Sequence, residues 1–113
     1  MTQQKYKKAA DVLISEKNSI DRKLTEINDR RVVLQTQLQE LRNNQFGYRE
    51  AKEILSPTAM NKAARLVLDN QISAAQIEIE KVLKDLDTVE KDHEIWYSKS
   101  KGMEKSIREI QTA

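Results

Sequence analysis

The chain has 113 residues, of which 34% are charged and only 4% aromatic, with two glycines, one proline and no cysteine. That composition belongs to long helices or coiled coils, and it excludes disulfides, thiolate nucleophiles and thiolate zinc sites. A formal net charge of +2 argues against a general attraction to nucleic acid. The start, MTQQKYKKAADVLISEKN, lacks the apolar core of a signal peptide, and no run approaches the roughly 18 apolar residues of a membrane span. The expectation is one soluble, cytoplasmic, all-α domain covering the whole chain.

The first element is a long helix over about residues 4–55. Tyr6, Leu13, Ile20, Ile27, Leu34, Leu41, Tyr48 and Leu55 recur every seven residues, with Ala10, Lys17, Leu24, Arg31, Leu38, Gln45 and Lys52 between them. In heptad notation abcdefg the first set is d and the second is a, so this is a coiled-coil seam with polar residues at several a positions. The stretch RNNQFGYRE (residues 42–50) holds two asparagines and a glycine, which together cost a helix interior about 2 kcal/mol relative to alanine. Burying Leu41, Tyr48 and Leu55 outweighs this at roughly 1.5–3 kcal/mol each. Asn43, Asn44 and Gly47 all fall off the seam. The helix therefore continues, with Phe46 outward and Tyr48 inward.

ILSPTAMNK (residues 54–62) is the strongest punctuation. Pro57 lacks an N–H and biases Ser56 away from helix, which predicts a turn near Ser56-Pro57 with Ser56 as N-cap. The second helix is expected over about 57–111. Its seam is Leu68, Ala75, Val82, Val89, Trp96, Met103 and Ile110, interleaved with Ile72, Ile79, Leu86, His93, Ser100 and Ile107.

A short connection makes the two helices antiparallel neighbours. A turn centred between Ser56 and Pro57 pairs Leu34 with Ile79, Leu41 with Ile72, Ile27 with Leu86 and Leu24 with Val89. Lys17 then faces Trp96, within reach of the indole face, Arg31 faces Val82 and His93 faces Ile20; Lys17 and Arg31 read first as polar gaps that set the register. Near the turn Gln45, Lys52, Asn61 and Arg65 occupy seam positions, so that end should open more readily than the middle.

Val32, Val33, Phe46, Leu66, Val67, Ile77, Leu83, Ile95 and Tyr97 lie off the seam. Phe46, Leu66 and Val67 fall at one axial level in this pairing and form a candidate docking patch. The termini meet, bringing Lys5, Lys7 and Lys8 beside Lys99, Lys101, Lys105 and Arg108, a basic pole suited to an acidic surface. The acidic segment from Glu78 to Glu94 reads as a solvated face. One histidine makes neither a triad nor a metal site, and no phosphate loop is present. No enzyme and no cofactor is expected.

QTQLQELRNNQFGYRE before the break, with its Q-x-x-Y-R at Gln45, Tyr48 and Arg49, and EIWYSKSKGMEKSIREI in the second helix, resemble the FliJ/YscO-type proteins. These are central stalks of flagellar and type III secretion export ATPases. The resemblance implies an antiparallel two-helix coiled coil, similar to part of a rotary ATPase γ subunit. Its terminal end would sit in the ATPase hexamer through Lys5, Lys7, Lys8, Lys99, Lys101, Lys105 and Arg108. A stripe at Gln37, Leu41, Asn44 and Tyr48 would contact the cytoplasmic domain of the export-gate membrane protein, although Asn44 stands where an aromatic is expected. On the second helix the stripe falls near Val67, Gln71, Ala74 and Glu78, of which Ala74 matches; Phe46 joins the candidate contact. Secretion chaperones are further implied partners. A coiled-coil tether or chaperone-like protein outside secretion is the alternative.

Overall fold

A computed structural model describes residues 5–113. It is an all-α helical hairpin. Helix α1 spans Lys7–Ile54, and helix α2 spans Lys62–Gln111 after a single 3-10 turn at Ala59–Asn61. The expected helix start near residue 4 lies outside the described residues. α1 passes through Asn43, Asn44 and Gly47 with no residue at positive φ, and Gln39 donates to Asn43 Oδ1 at 2.9 Å along the helix.

The seam carries the burial. Every seam position from Ala10 to Leu55 and from Leu68 to Ile110 is buried or half-buried, including Lys17, Arg31, Gln45 and Lys52. The chain forms two compact units. One holds the chain up to Arg31 with Thr88–Ala113, and the other holds Val32–Asp87. In the first, Ala10, Ile20, Ile27, Val89, Ser100 and Ile107 are buried. In the second, Leu34 (1% exposed), Ala75, Ile79 and Val82 are buried, while Leu41, Tyr48, Leu55 and Leu68 are only half covered.

The turn departs from expectation. Ser56 is not the N-cap of α2, and Pro57 is not its first residue; α2 begins five residues later, at Lys62. The Ser56 carbonyl accepts from the Thr58 N–H at 2.8 Å and from Asn61 Nδ2 at 2.9 Å. Thr58 is extended (φ −105°, ψ 163°), so helical geometry begins only after it, in the 3-10 turn closed by Asn61 N–H to Thr58 O at 3.1 Å.

The longer connection displaces the pairing by about one heptad. Gln45, rather than Leu41, reaches Ile72, donating to its carbonyl at 3.2 Å. Arg31 bonds Glu90 at 3.1 Å rather than facing Val82. Moving a turn's centre along the chain moves every antiparallel partner twice as far, which accounts for the sense of the shift.

With Leu68 at d and Ile72 at a, the observed bonds share a single frame between the a row of α1 and the e row of α2. Arg31 meets Glu90, Gln45 meets Gln76 at 3.0 Å, and Lys52 meets Asp69 at 2.6 Å. Continuing the frame sets Leu38 against Leu83, Leu24 against Tyr97, and Lys17 against Glu104, whose charge adds a smaller push to a Lys17 pKa raised mainly by its hydrogen bond to Asp21. From Lys17 to Gln45 polar rungs alternate with apolar ones in both helices, and Lys52 with Asp69 adds a second polar rung at the turn end. A slip of one heptad would set Arg31 against Leu83 and Leu38 against Gln76, stranding polar groups on apolar partners.

Candidate functional site

The candidate residues divide between the two units. In the turn-ward unit, Leu41 and Tyr48 are half-buried at d, and Gln37 and Asn44 are exposed beside them at g. In an antiparallel pair like letters share a flank, so Val67 (57% exposed) and Ala74, at c of α2, lie on the flank of Gln37 and Asn44. Small or uncharged residues dominate here: Gln37, Asn44, Gly47 and Ala51 on α1, and Ala64, Gln71 and Ala74 on α2.

Phe46, 62% exposed, lies elsewhere. Two residues beyond Asn44 it points about 160° away around α1, at 100° per residue. It shares the opposite flank with Leu66, whereas Val67 does not. The displaced pairing also removes the common axial level, setting Phe46 at least five residues along α2 from Leu66, or about 7 Å. The expected Phe46, Leu66 and Val67 patch is therefore not a single patch.

Spacing alone did not reveal how the polar seam residues near the turn are used. Arg65 donates to the carbonyls of Lys52 at 2.8 Å and Leu55 at 2.7 Å, supplying donors to the C-terminal carbonyls that every helix leaves unpaired. Together with the Gln45 and Lys52 bonds, it ties this end where apolar cover is thin. An arginine at a seam position just after a helix start was the available signal.

In the other unit the two terminal segments pack together, as expected for the basic pole. Lys5, Lys7, Lys8, Lys99, Lys101 and Lys105 and Arg108 are all exposed. Lys99 Nζ lies 4.4 Å from the Trp96 ring centroid, so the cation on the indole is Lys99 and not Lys17. Lys101 and Lys105 pair loosely with Glu104 and Glu109, at 3.4 and 4.0 Å. His93 stacks on Tyr97 at 5.9 Å between centroids.

Lys17 instead donates to Asp21 Oδ2 at 2.7 Å, while buried Ser100 donates to Asp21 Oδ1, also at 2.7 Å. These bonds from Lys17 and then Ser100 hold the Asp21 carboxyl below its ordinary range. The Asp21 bond raises the Lys17 pKa. Among the described residues no three carboxylate, thiol or imidazole groups converge as a metal site, and no helix is long and apolar enough to cross a membrane. Comparison with family models, curated proteins and solved structures gives no match.

Proposed function

We propose that this chain is a non-enzymatic stalk of a bacterial type III protein export apparatus, acting at its cytoplasmic face. The terminal pole enters the export ATPase ring and promotes its assembly and turnover. The flank bearing Gln37, Leu41, Asn44 and Tyr48 contacts the cytoplasmic domain of the export gate, with Val67 and Ala74 from α2 at its side. Secretion chaperones are further partners in this reading.

The observation that carries it is the unbroken passage of α1 through Q-x-x-Y-R. Gln45 and Tyr48 turn into the seam while Gln37 and Asn44 stay exposed on the weakly charged flank. A paired-helix stalk of the kind the resemblance implies needs that continuity. The exposed cations of the terminal pole supply a surface for an acidic ring lining.

The test is to mix the chain with the export ATPase of the same bacterium and follow ring formation and hydrolysis. Both should rise, and replacing Lys7, Lys8 and Arg108 by glutamate should abolish the increase. No binding and no change in hydrolysis would overturn the ATPase assignment. Gate binding should weaken in Gln37→Ala with Tyr48→Ala while helicity persists.

A further inference from the structure

We propose that Arg42, Phe46 and Arg49 form a docking stripe for an acidic amphipathic helix of a partner protein. The three residues stand at i, i+4 and i+7, so they line one face of α1 over two turns. All three are exposed, and Phe46 keeps 62% of its surface open.

What distinguishes the two arginines is what the seam leaves over. On this flank Arg31 is used by Glu90, Lys52 by Asp69, and Arg65 by two backbone carbonyls. In the same e row of α1, Asp21 is used by Ser100 and Asn28 by Arg31. Arg42 and Arg49 make no ion pair or side-chain hydrogen bond among the described residues. Glu53, one turn beyond Arg49, does not pair with it.

Beside Arg49 the surface opens into a groove lined by Lys52, Glu53, Arg65, Asp69 and Ile72. Three cations face two carboxylates there, and Lys52 already occupies Asp69, so the groove keeps positive excess above an apolar Ile72. An exposed phenyl ring between two free guanidinium forks offers an apolar anchor and two bidentate carboxylate receptors. The complementary ligand is a helix with an apolar residue framed by carboxylates one heptad apart. The stripe lies on the flank opposite Gln37 and Asn44, so it does not rest on the proposed gate contact.

The probe is a fluorescein-labelled helical peptide of about 20 residues, matched to the length of a typical amphipathic ligand helix, with glutamates one heptad apart framing a leucine. A second peptide carries lysine in place of glutamate. Anisotropy with the full chain should show the acidic peptide binding about tenfold or more tightly than the lysine peptide, and Phe46→Ala should weaken it about tenfold. Arg42→Gln with Arg49→Gln should weaken binding several-fold and flatten its decline between about 0.1 and 0.5 M salt. Arg30→Gln, which removes an exposed arginine elsewhere, should leave affinity unchanged. Circular dichroism should show full helicity in every variant. Equal binding of both peptides, no effect of the double variant, or the same loss in Arg30→Gln would overturn the proposal. So would a dimer of this chain that dissociates in the double variant, because the stripe's occupant would then be a second copy.

Discussion

Arg65 and Leu55 are joined across the turn, the guanidinium of the first donating to the carbonyl of the second at 2.7 Å. A second bond from the same nitrogen reaches Lys52 O at 2.8 Å. A side chain near the start of α2 thus closes the last turn of α1, and its positive charge complements the negative end of that helix dipole.

Arg65→Ala leaves both carbonyls to solvent. A charged hydrogen bond contributes about 1.5–3 kcal/mol at most, and partial exposure lowers this, so a loss of about 1–2 kcal/mol is expected. Hydrogen exchange should accelerate around residues 50–69 and stay unchanged in the terminal unit. Arg65→Lys keeps the charge but not the fork and should recover only part of the loss. Unchanged exchange near the turn would show that the cap is idle.

The alternating rungs can be tested by exchange. Arg31→Leu with Leu38→Arg conserves composition but sets leucine against Glu90 and arginine against Leu83. The expected destabilisation is about 2 kcal/mol, combining a partly exposed ion pair with lost apolar cover. Adding Leu83→Glu with Glu90→Leu restores both kinds of rung in swapped order and should recover most of it. Thermal melts of the double and quadruple variants read the coupling.

Asp21 predicts an acid response. Its folded pKa is lowered, chiefly by the bond from Lys17 and next by that from Ser100. A carboxylate lowered in this way stabilises the fold above its unfolded value near 3.8 and loses that contribution as pH falls through the folded value. Wild type should therefore weaken below that value more steeply than Asp21→Asn. Ser100→Ala removes one donor and should bring the Asp21 pKa, read by NMR titration, back toward its ordinary range. Lys17, raised by the same pair, gives the mirror effect, lost only as pH rises through its folded value.

Gly47 offers a gain. A Cβ built there meets nothing within 4 Å, and the residue is helical without positive φ. Gly47→Ala should stabilise α1 by about 0.5–1 kcal/mol and slow exchange across residues 43–50. Destabilisation instead would mean that the segment leaves helical geometry in solution.

Much of the fold was legible because a heptad repeat is a local property. Leu34, Ile79 and Val82 are core, Phe46 is outward and Tyr48 inward, all as the spacing alone requires. The partners of Arg31, Gln45 and Arg65 were not legible. Each is a long polar side chain whose use depends on what the other helix presents at that height. The candidate contact residues were recoverable as exposed or half-buried positions, but their division between flanks was not, because Phe46, Leu66 and Val67 were placed by an axial level that assumed a shorter turn.

The sequence by itself determined two helices, a break at Pro57 and the seam positions from Ala10 onward, since periodicity and the proline ring act within a few residues; Tyr6, ahead of α1, is exposed instead. The pairing frame, the cap by Arg65 and the flank each exposed residue occupies were decided only in the tertiary structure. A heptad repeat looks the same after a shift of seven, so the seam cannot choose its own frame. Thr58, extended after Pro57, sets the length of the connection, and the alternating polar rungs reject the neighbouring frame. Together they remove that ambiguity.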